Sequence, residues 1–371
     1  MKKLIMIVLT VLAVITLAAC GATSNVSTKQ EENGVAGVLK EDGESEKINI
    51  VTTIFPEYDW VKQILGDKAQ NADITLLLDN GVDLHSYQPT AEDILKISNC
   101  DLFIYVGGES DKWVEDALSS AQNKDMEVIN LMEVLGDSIK EEEMVEGMQE
   151  SEHNHDHEHE EDADEHEHEE DADEHEHEHE EDADEHEHEH GEIEYDEHVW
   201  LSLKNAQTLV AAISQSIIKL DDTNADIYEA NTREYNEKIA ALDKEYEAVA
   251  EGADNKTILF GDRFPFRYMV DDYDIDYYAA FVGCSAETEA SFETVSFLSG
   301  KVDELKLPVV LTIEGPDKKI AETIIQNTES KDAVILTMDS LQSTTLKDAE
   351  SGSTYLSAME NNLEVLKEAL K

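Results

Sequence analysis

Positive charge is scarce in this chain. Against 87 aspartates and glutamates stand 27 lysines and arginines, a formal net charge of −60 over 371 residues. A surface of that sign repels phosphate backbones, which excludes nucleic acid as a partner and favours cations. Cysteine is scarce too, with only Cys20, Cys100 and Cys284. Cys100 and Cys284 could form one bridge, but each flanks an apolar run in a different half, so two buried thiols are the expected state. No Gly-x-Ser-x-Gly elbow and no phosphate loop is present, so an enzyme reading has little to stand on. Histidine is nearly confined to one tract, with only His85 and His198 outside it.

That tract is where the missing cations have their counterpart. From Glu141 to Glu197 there is no Lys or Arg, and Glu-Glu-Asp-Ala-Asp-Glu-His-Glu-His-Glu repeats from Glu160, Glu169 and Glu180. It carries His153, His155, His157, His159, His166, His168, His175, His177, His179, His186, His188 and His190. With no apolar side chain larger than alanine between His153 and His190, it cannot contribute to a core and is expected to be a disordered insertion. A solvated acidic linker accounts for the carboxylates but not for the alternating imidazoles. Neutral imidazole is the commonest ligand for zinc-like metals, so the tract reads as a set of weak metal sites.

The first 19 residues read as a signal peptide. Lys2 and Lys3 precede an apolar run from Leu4 to Leu17 that is short for a membrane span. The run ends Leu17-Ala18-Ala19-Cys20-Gly21, which resembles the lipobox of bacterial lipoproteins. That resemblance implies cleavage before Cys20, acylation of its thiol, and an exported protein anchored to the outer face of the cytoplasmic membrane. Residues 20–47 are polar and read as a flexible tether.

Beyond the tether, strand-like and helix-like segments alternate. Strands are expected at Ile48–Ile54, Ile74–Leu78 and Leu102–Val106, and again at Thr257–Phe260, Asp276–Phe281, Val309–Ile313 and Ala333–Met338. Helices are expected between them, with Thr90 as an N-cap and Pro56 opening the first. Ile227, Tyr228, Tyr235, Ile239, Leu242, Tyr246 and Val249 recur at helical spacing and predict one long helix that ends near Gly252. The expected fold is α/β, with two doubly wound lobes joined by that helix. The amino-terminal lobe covers 48–222, with the acidic loop at 141–196. The linking helix covers 223–252, and the carboxy-terminal lobe 253–371.

Ligands of open α/β sheets bind outside the carboxyl ends of strands. His85 follows the second expected strand, and His198 follows the tract. Either alone is more often structural, but together they make a candidate metal pair. Gly81-x-Asp83-x-His85-x-Tyr87-x-Pro89 resembles the first metal-ligand motif of the cluster A-I solute-binding proteins, which serve ABC transporters for zinc and manganese. Glu197-His198-Val199-Trp200-Leu201 is similar to their second motif. Asp339-Ser340 and Tyr355-x-x-x-Met359-x-x-Asn362 are similar to their carboxy-terminal elements. The resemblance covers roughly Ile48 to Leu370. It implies a monomeric, non-enzymatic protein that captures Zn(II), with Mn(II) as the alternative, between two lobes and passes it to an ABC permease and its ATPase. It implies His85, His198 and Asp339 as ligands, with the acidic loop as a collector. A metal-buffering or adhesive surface lipoprotein is the rival reading.

One departure stands out. Aligning Phe266-Arg267-Tyr268-Met269 with the family element places Arg263 at a ligand position, and guanidinium has no lone pair to offer a cation. A second-lobe carboxylate is the expected replacement, Asp262 first, then Glu287, Glu289 or Glu314; a tract histidine is the other possibility. Arg263 itself is expected to pair with one of these acids. A carboxylate-rich set would favour manganese, whereas the tract favours zinc.

Overall fold

The computed structural model describes residues 47–149, 194–285, 289–315 and 317–371. The signal segment, Cys20, the tether up to residue 46, Glu287 and all twelve tract histidines lie outside the described residues.

The first lobe is a four-stranded sheet of β1 (Ile48–Thr52), β2 (Ala72–Leu76), β3 (Leu102–Tyr105) and β4 (Glu127–Asn130), all parallel in the order β2-β1-β3-β4. Helices α1 (Phe55–Leu65), α2 (Ala91–Asn99), α3 (Trp113–Ser119) and α4 (Leu131–Leu135) connect its strands and follow β4. The second lobe repeats the plan. Strands β5 (Thr257–Phe264), β6 (Asp276–Val282), β7 (Val309–Thr312) and β8 (Val334–Thr337) lie parallel in the order β6-β5-β7-β8. Its helices are α7 (Arg267–Tyr273), α8 (Phe292–Leu305), α9 (Lys319–Asn327), α10 (Leu346–Glu350) and α11 (Tyr355–Ala369). Between the lobes run α5 (Leu203–Leu220) and the 28-residue α6 (Ala225–Gly252). Strands covered on both faces read as near-continuous apolar runs, as Leu102-Phe103-Ile104 does, which is why most of them were legible. Strand β4 was not expected. Its four residues, Glu-Val-Ile-Asn, hold only two apolar side chains, one of them exposed, so it lacks that signature. The short helices α4, α7 and α10 were also not anticipated.

Local caps agree with the fold. Thr90 and Asp93 form a reciprocal capping box on α2. Fully buried Glu57 takes the Thr53 and Ile54 amides, at 2.8 and 3.2 Å, at the turn from β1 into α1.

Helix α6 packs on α1 and α5 and also on α7 and α11. One set of buried side chains runs from Ile50 and Trp60 through Tyr246 to Phe264, Met338 and Leu363, so the lobes share a core as well as a connecting segment. The Trp60 and Tyr355 rings meet edge to face at 5.1 Å, and buried Asp59 accepts from the Tyr355 amide at 3.0 Å. Trp200 Nε1 donates to the Ser340 carbonyl at 2.9 Å, and the Tyr355 hydroxyl donates to the Trp200 carbonyl at 2.7 Å. These contacts hold the carboxyl ends of the two sheets toward each other.

Candidate metal centre

In both lobes the chemistry-bearing residues follow the carboxyl ends of strands. The loop after β2 makes a short 3-10 turn, Leu84–Ser86, capped by Asp83, whose carboxylate accepts from the His85 amide at 3.0 Å. The loop after β3 turns through Gly107 and Gly108, both at positive φ, and brings Ser110 against the same site. His198 lies at the turn into α5, where Asp196 Oδ1 accepts from its backbone amide at 2.8 Å.

The two imidazoles face each other, with His85 Nε2 3.2 Å from His198 Nε2. Their other nitrogens are held from behind. His198 Nδ1 lies 3.0 Å from Asp196 Oδ1. His85 Nδ1 lies 2.8 Å from the Ser110 hydroxyl and 3.4 Å from Glu197 Oε2. Glu197 is fixed in turn by the Ser110 amide at 2.8 Å. When each Nδ1–H is directed to the oxygen behind it, both Nε2 atoms are free to offer their lone pairs to one cation; in the other tautomer of either ring the same contact is an Nε2–H···Nε2 hydrogen bond. Two nitrogens on one tetrahedral zinc at about 2.0–2.1 Å lie about 3.3–3.4 Å apart. The observed spacing therefore suits a metal with almost no rearrangement.

The surrounding charges match. Burial works against a charge on fully buried His198, but Asp196, and after it Asp83 and Glu197, overcome this and raise its pKa. Burial alone would raise the Glu197 carboxyl, but His85 and Ser110 hold it below the ordinary carboxylate range.

A third potential donor atom lies near this pair. Cys284, just past β6, has its Sγ within 4.8 Å of the imidazole donors, and His85, His198 and Cys284 are the one such group of potential ligands among the described residues. Both Cys100 and Cys284 are free thiols, Cys100 buried and Cys284 partly so. Burial first, then Asp196, Glu142 and Glu197, push the Cys284 thiol well up. A cavity of about 270 Å³ opens beside the group, lined by His85, Cys284, Glu109, Glu142, Glu194 and Glu197 among others. Residues at both stems of the acidic tract line it, and they are joined there by a bridge between Glu141 and Tyr195.

Asp339 and Asp262 do not join this group. Asp339 lines a separate cavity of about 290 Å³ with Glu314 and Asp348, and burial, then Glu314, raise its pKa to about 6. Its backbone is fixed by Asn362, and its carboxylate accepts from the Leu341 amide at 2.8 Å. Asp262 is occupied on both oxygens, by the Arg263 amide at 2.9 Å and the Ile313 amide at 3.2 Å. Glu314 accepts from the Ser340 amide and hydroxyl at 2.7 and 2.6 Å. Glu289 accepts through its carbonyl from Gln149 at 3.5 Å. The expected pairing of Arg263 with a second-lobe acid is corrected: it forms its ion pair with Asp83 of the first lobe, and also donates to the Ser285 carbonyl at 3.4 Å. Sequence reasoning passed over Cys284 as a ligand because it weighed the residue only as a bridge partner of Cys100 or a buried thiol. The available signal was its place after an apolar parallel strand, where ligands gather.

Residues 50–369 match the family described as ZnuA, zinc-uptake complex component A, periplasmic. The chain belongs to this family. ZnuA-family proteins are substrate-binding components of zinc ABC transporters and not enzymes. The high-affinity zinc uptake system protein ZnuA of Bacillus subtilis is 30% identical over 354 residues, covering 95% of this chain and 93% of that protein. The zinc-binding lipoprotein AdcA of Streptococcus pneumoniae serotype 4 is 30% identical over 327 residues, but the chain spans only 56% of its length. Among solved structures, the metal-dependent lipoprotein YcdH of Bacillus subtilis superposes with a TM-score of 0.64 at 26% identity, covering 87% of this chain and 99% of that one. The Zn(II)-bound ZnuA-like domain of the pneumococcal AdcA superposes at 0.61 and 26%, with the same coverage.

Proposed function

We propose that this protein captures Zn(II) outside the cytoplasm between His85 and His198 and delivers it to an ABC permease powered by its ATPase. The single observation that carries the reading is the face-to-face Nε2 pair at 3.2 Å with an oxygen atom behind each ring. Belonging to the ZnuA family supports the transport role, and relatives named as lipoproteins support anchoring through Cys20.

The site acts by preorganisation. The rings are already held at the separation a tetrahedral ion requires, so binding loses little side-chain freedom. The shared core makes a stiff frame for the two loops, and the ion enters through the acid-rimmed cavity. The acidic tract serves as a collector, with many weak sites tethered at the cavity rim. Tethering converts handover into an intramolecular step. Zinc is favoured over manganese because imidazole donors suit zinc and neither Asp262 nor Asp339 adds a hard oxygen to the group.

Competition with a chromophoric chelator tests the reading. Wild-type protein is expected to hold one zinc tightly, and the His85→Ala/His198→Ala variant to lose that site while retaining weak tract binding. Submicromolar binding that survives in the double variant refutes capture by this pair.

A further inference from the structure

Resting on histidine capture as proposed above, we propose that Cys284 is the second lobe's donor, so that the transported ion sits on two imidazoles and one thiolate.

Three observations converge on that residue. The first is reach. A sulfur and a nitrogen on one tetrahedral zinc lie about 3.6 Å apart, given bonds of about 2.3 and 2.0–2.1 Å. Cys284 Sγ is already within 4.8 Å of the imidazole donors, so an approach of about 1 Å brings it to bonding distance of the same ion.

The second is support. Glu142 accepts from the Cys284 amide at 3.0 Å, and Arg263 donates to the next carbonyl, that of Ser285, at 3.4 Å. Gly283 presses against the His198 ring. A Cβ there would lie 3.0 Å from His198 Cε1 and 2.9 Å from the Phe264 carbonyl, so glycine is what allows this loop to pass so close. The loop is thus fixed on the imidazole it would share an ion with.

The third is elimination within the described second lobe. Arg263 offers no lone pair and is tied to Asp83 of the first lobe. Asp262 has both oxygens engaged by backbone amides, and Asp339 faces another cavity.

The thiol coordinates as thiolate, and its proton passes to solvent as the metal binds. The cavity side is left for a water, the open position through which the ion enters and leaves. A soft sulfur donor makes the site more selective for zinc over manganese than a carboxylate would. Because the donor comes from the loop just after β6, it is also the link through which the ion ties the second lobe to the histidines of the first.

The test uses the full chain, titrated with Co(II) for spectroscopy and with Zn(II) against a chromophoric chelator. Wild-type protein is expected to develop a near-ultraviolet thiolate-to-cobalt charge-transfer band that saturates at one equivalent. Cys284→Ser is expected to lack the band, to keep the weaker visible absorption of histidine-bound cobalt, and to bind zinc about a hundredfold less tightly. A second measurement needs no variant: zinc should slow alkylation of Cys284 in wild-type protein about tenfold or more, followed by mass spectrometry. Absence of the band in wild type, or its persistence in Cys284→Ser, overturns the thiolate assignment. If His85→Ala/His198→Ala still abolishes the tight site, histidine capture stands without the thiolate. A tight site that survives the histidine replacements overturns both.

Discussion

Replacing Asp196 with asparagine removes one charge from behind His198 and changes almost nothing in shape. Asp196 Oδ1 lies 3.0 Å from His198 Nδ1, which places its charge about 6–7 Å from an ion bound at Nε2. Coulomb's law at an effective dielectric of about 20 gives about 2.5 kcal/mol per unit of ionic charge at that distance. Water in the cavity screens part of it. Losing the carboxylate behind a ligating histidine typically weakens metal binding about 10- to 100-fold, or about 1.4–2.7 kcal/mol, and Asp196→Asn is expected to fall in that range at pH 8. The pH dependence distinguishes this from a simple packing defect. Burial opposes protonation of His198, but Asp196 overrides it and raises the pKa, so in wild type protons begin to compete with zinc above the ordinary value of about 6.5. Without the charge, that competition starts at lower pH. The affinity ratio of wild type to variant should therefore be largest at pH 8 and shrink toward pH 6. Chelator competition across that range, with thermal melts to confirm folding, provides the measurement. A ratio that stays constant with pH, or under about threefold at pH 8, refutes the assignment of Asp196 as the group that orients and charges His198.

Three further outcomes are expected. Gly283→Ala should weaken zinc binding about tenfold by pushing the loop after β6 off the His198 ring; chelator competition showing unchanged affinity would mean the close approach is unimportant. Asp111 is buried, and burial, with Glu197 adding to it, raises its pKa to about 7. The folded state thus holds a proton that the unfolded state releases near pH 4, so this group's stabilisation is full below that pH and is lost as pH rises through 7. Urea titrations should show Asp111→Asn lacking about 4 kcal/mol of the wild-type gain between pH 7.5 and 4, and an unchanged profile would show that Asp111 ionises normally. Deleting His153–His190 should leave one tight zinc site and remove several weak ones by calorimetry; unchanged stoichiometry would reject the collector role.

Much of the site was legible because its motifs are short and lie in loops. Asp83, His85, Asp196 and His198 are neighbours in sequence pairs, and each acid caps or orients the histidine two residues on. The third donor was not legible. Reading along the chain led from Arg263 to its adjacent acid, Asp262, but that side chain turns to backbone amides of its own sheet. The arginine crosses to Asp83 instead, a pairing between lobes that no local pattern encodes. Asp339 follows β8 as expected, yet it opens on the cavity shared with Glu314 and Asp348. Strand β4 was missed for a different reason: only Val128 and Ile129 are apolar, between Glu127 and Asn130, so it leaves no hydrophobic run, whereas the edge strand β8 does.

Periodicity, capping residues and loop motifs are local properties, written in consecutive side chains. They were enough to determine two parallel α/β halves, the long α6 between them and the imidazoles that face each other. Which second-lobe atom those imidazoles meet depends on how two sheets dock through a common core, with Trp200, Tyr355 and α6 fixing the approach. Docking sums many weak contacts between residues distant in the chain. Only the tertiary structure could therefore bring Cys284 to the histidines and keep Asp262 and Asp339 out of their group.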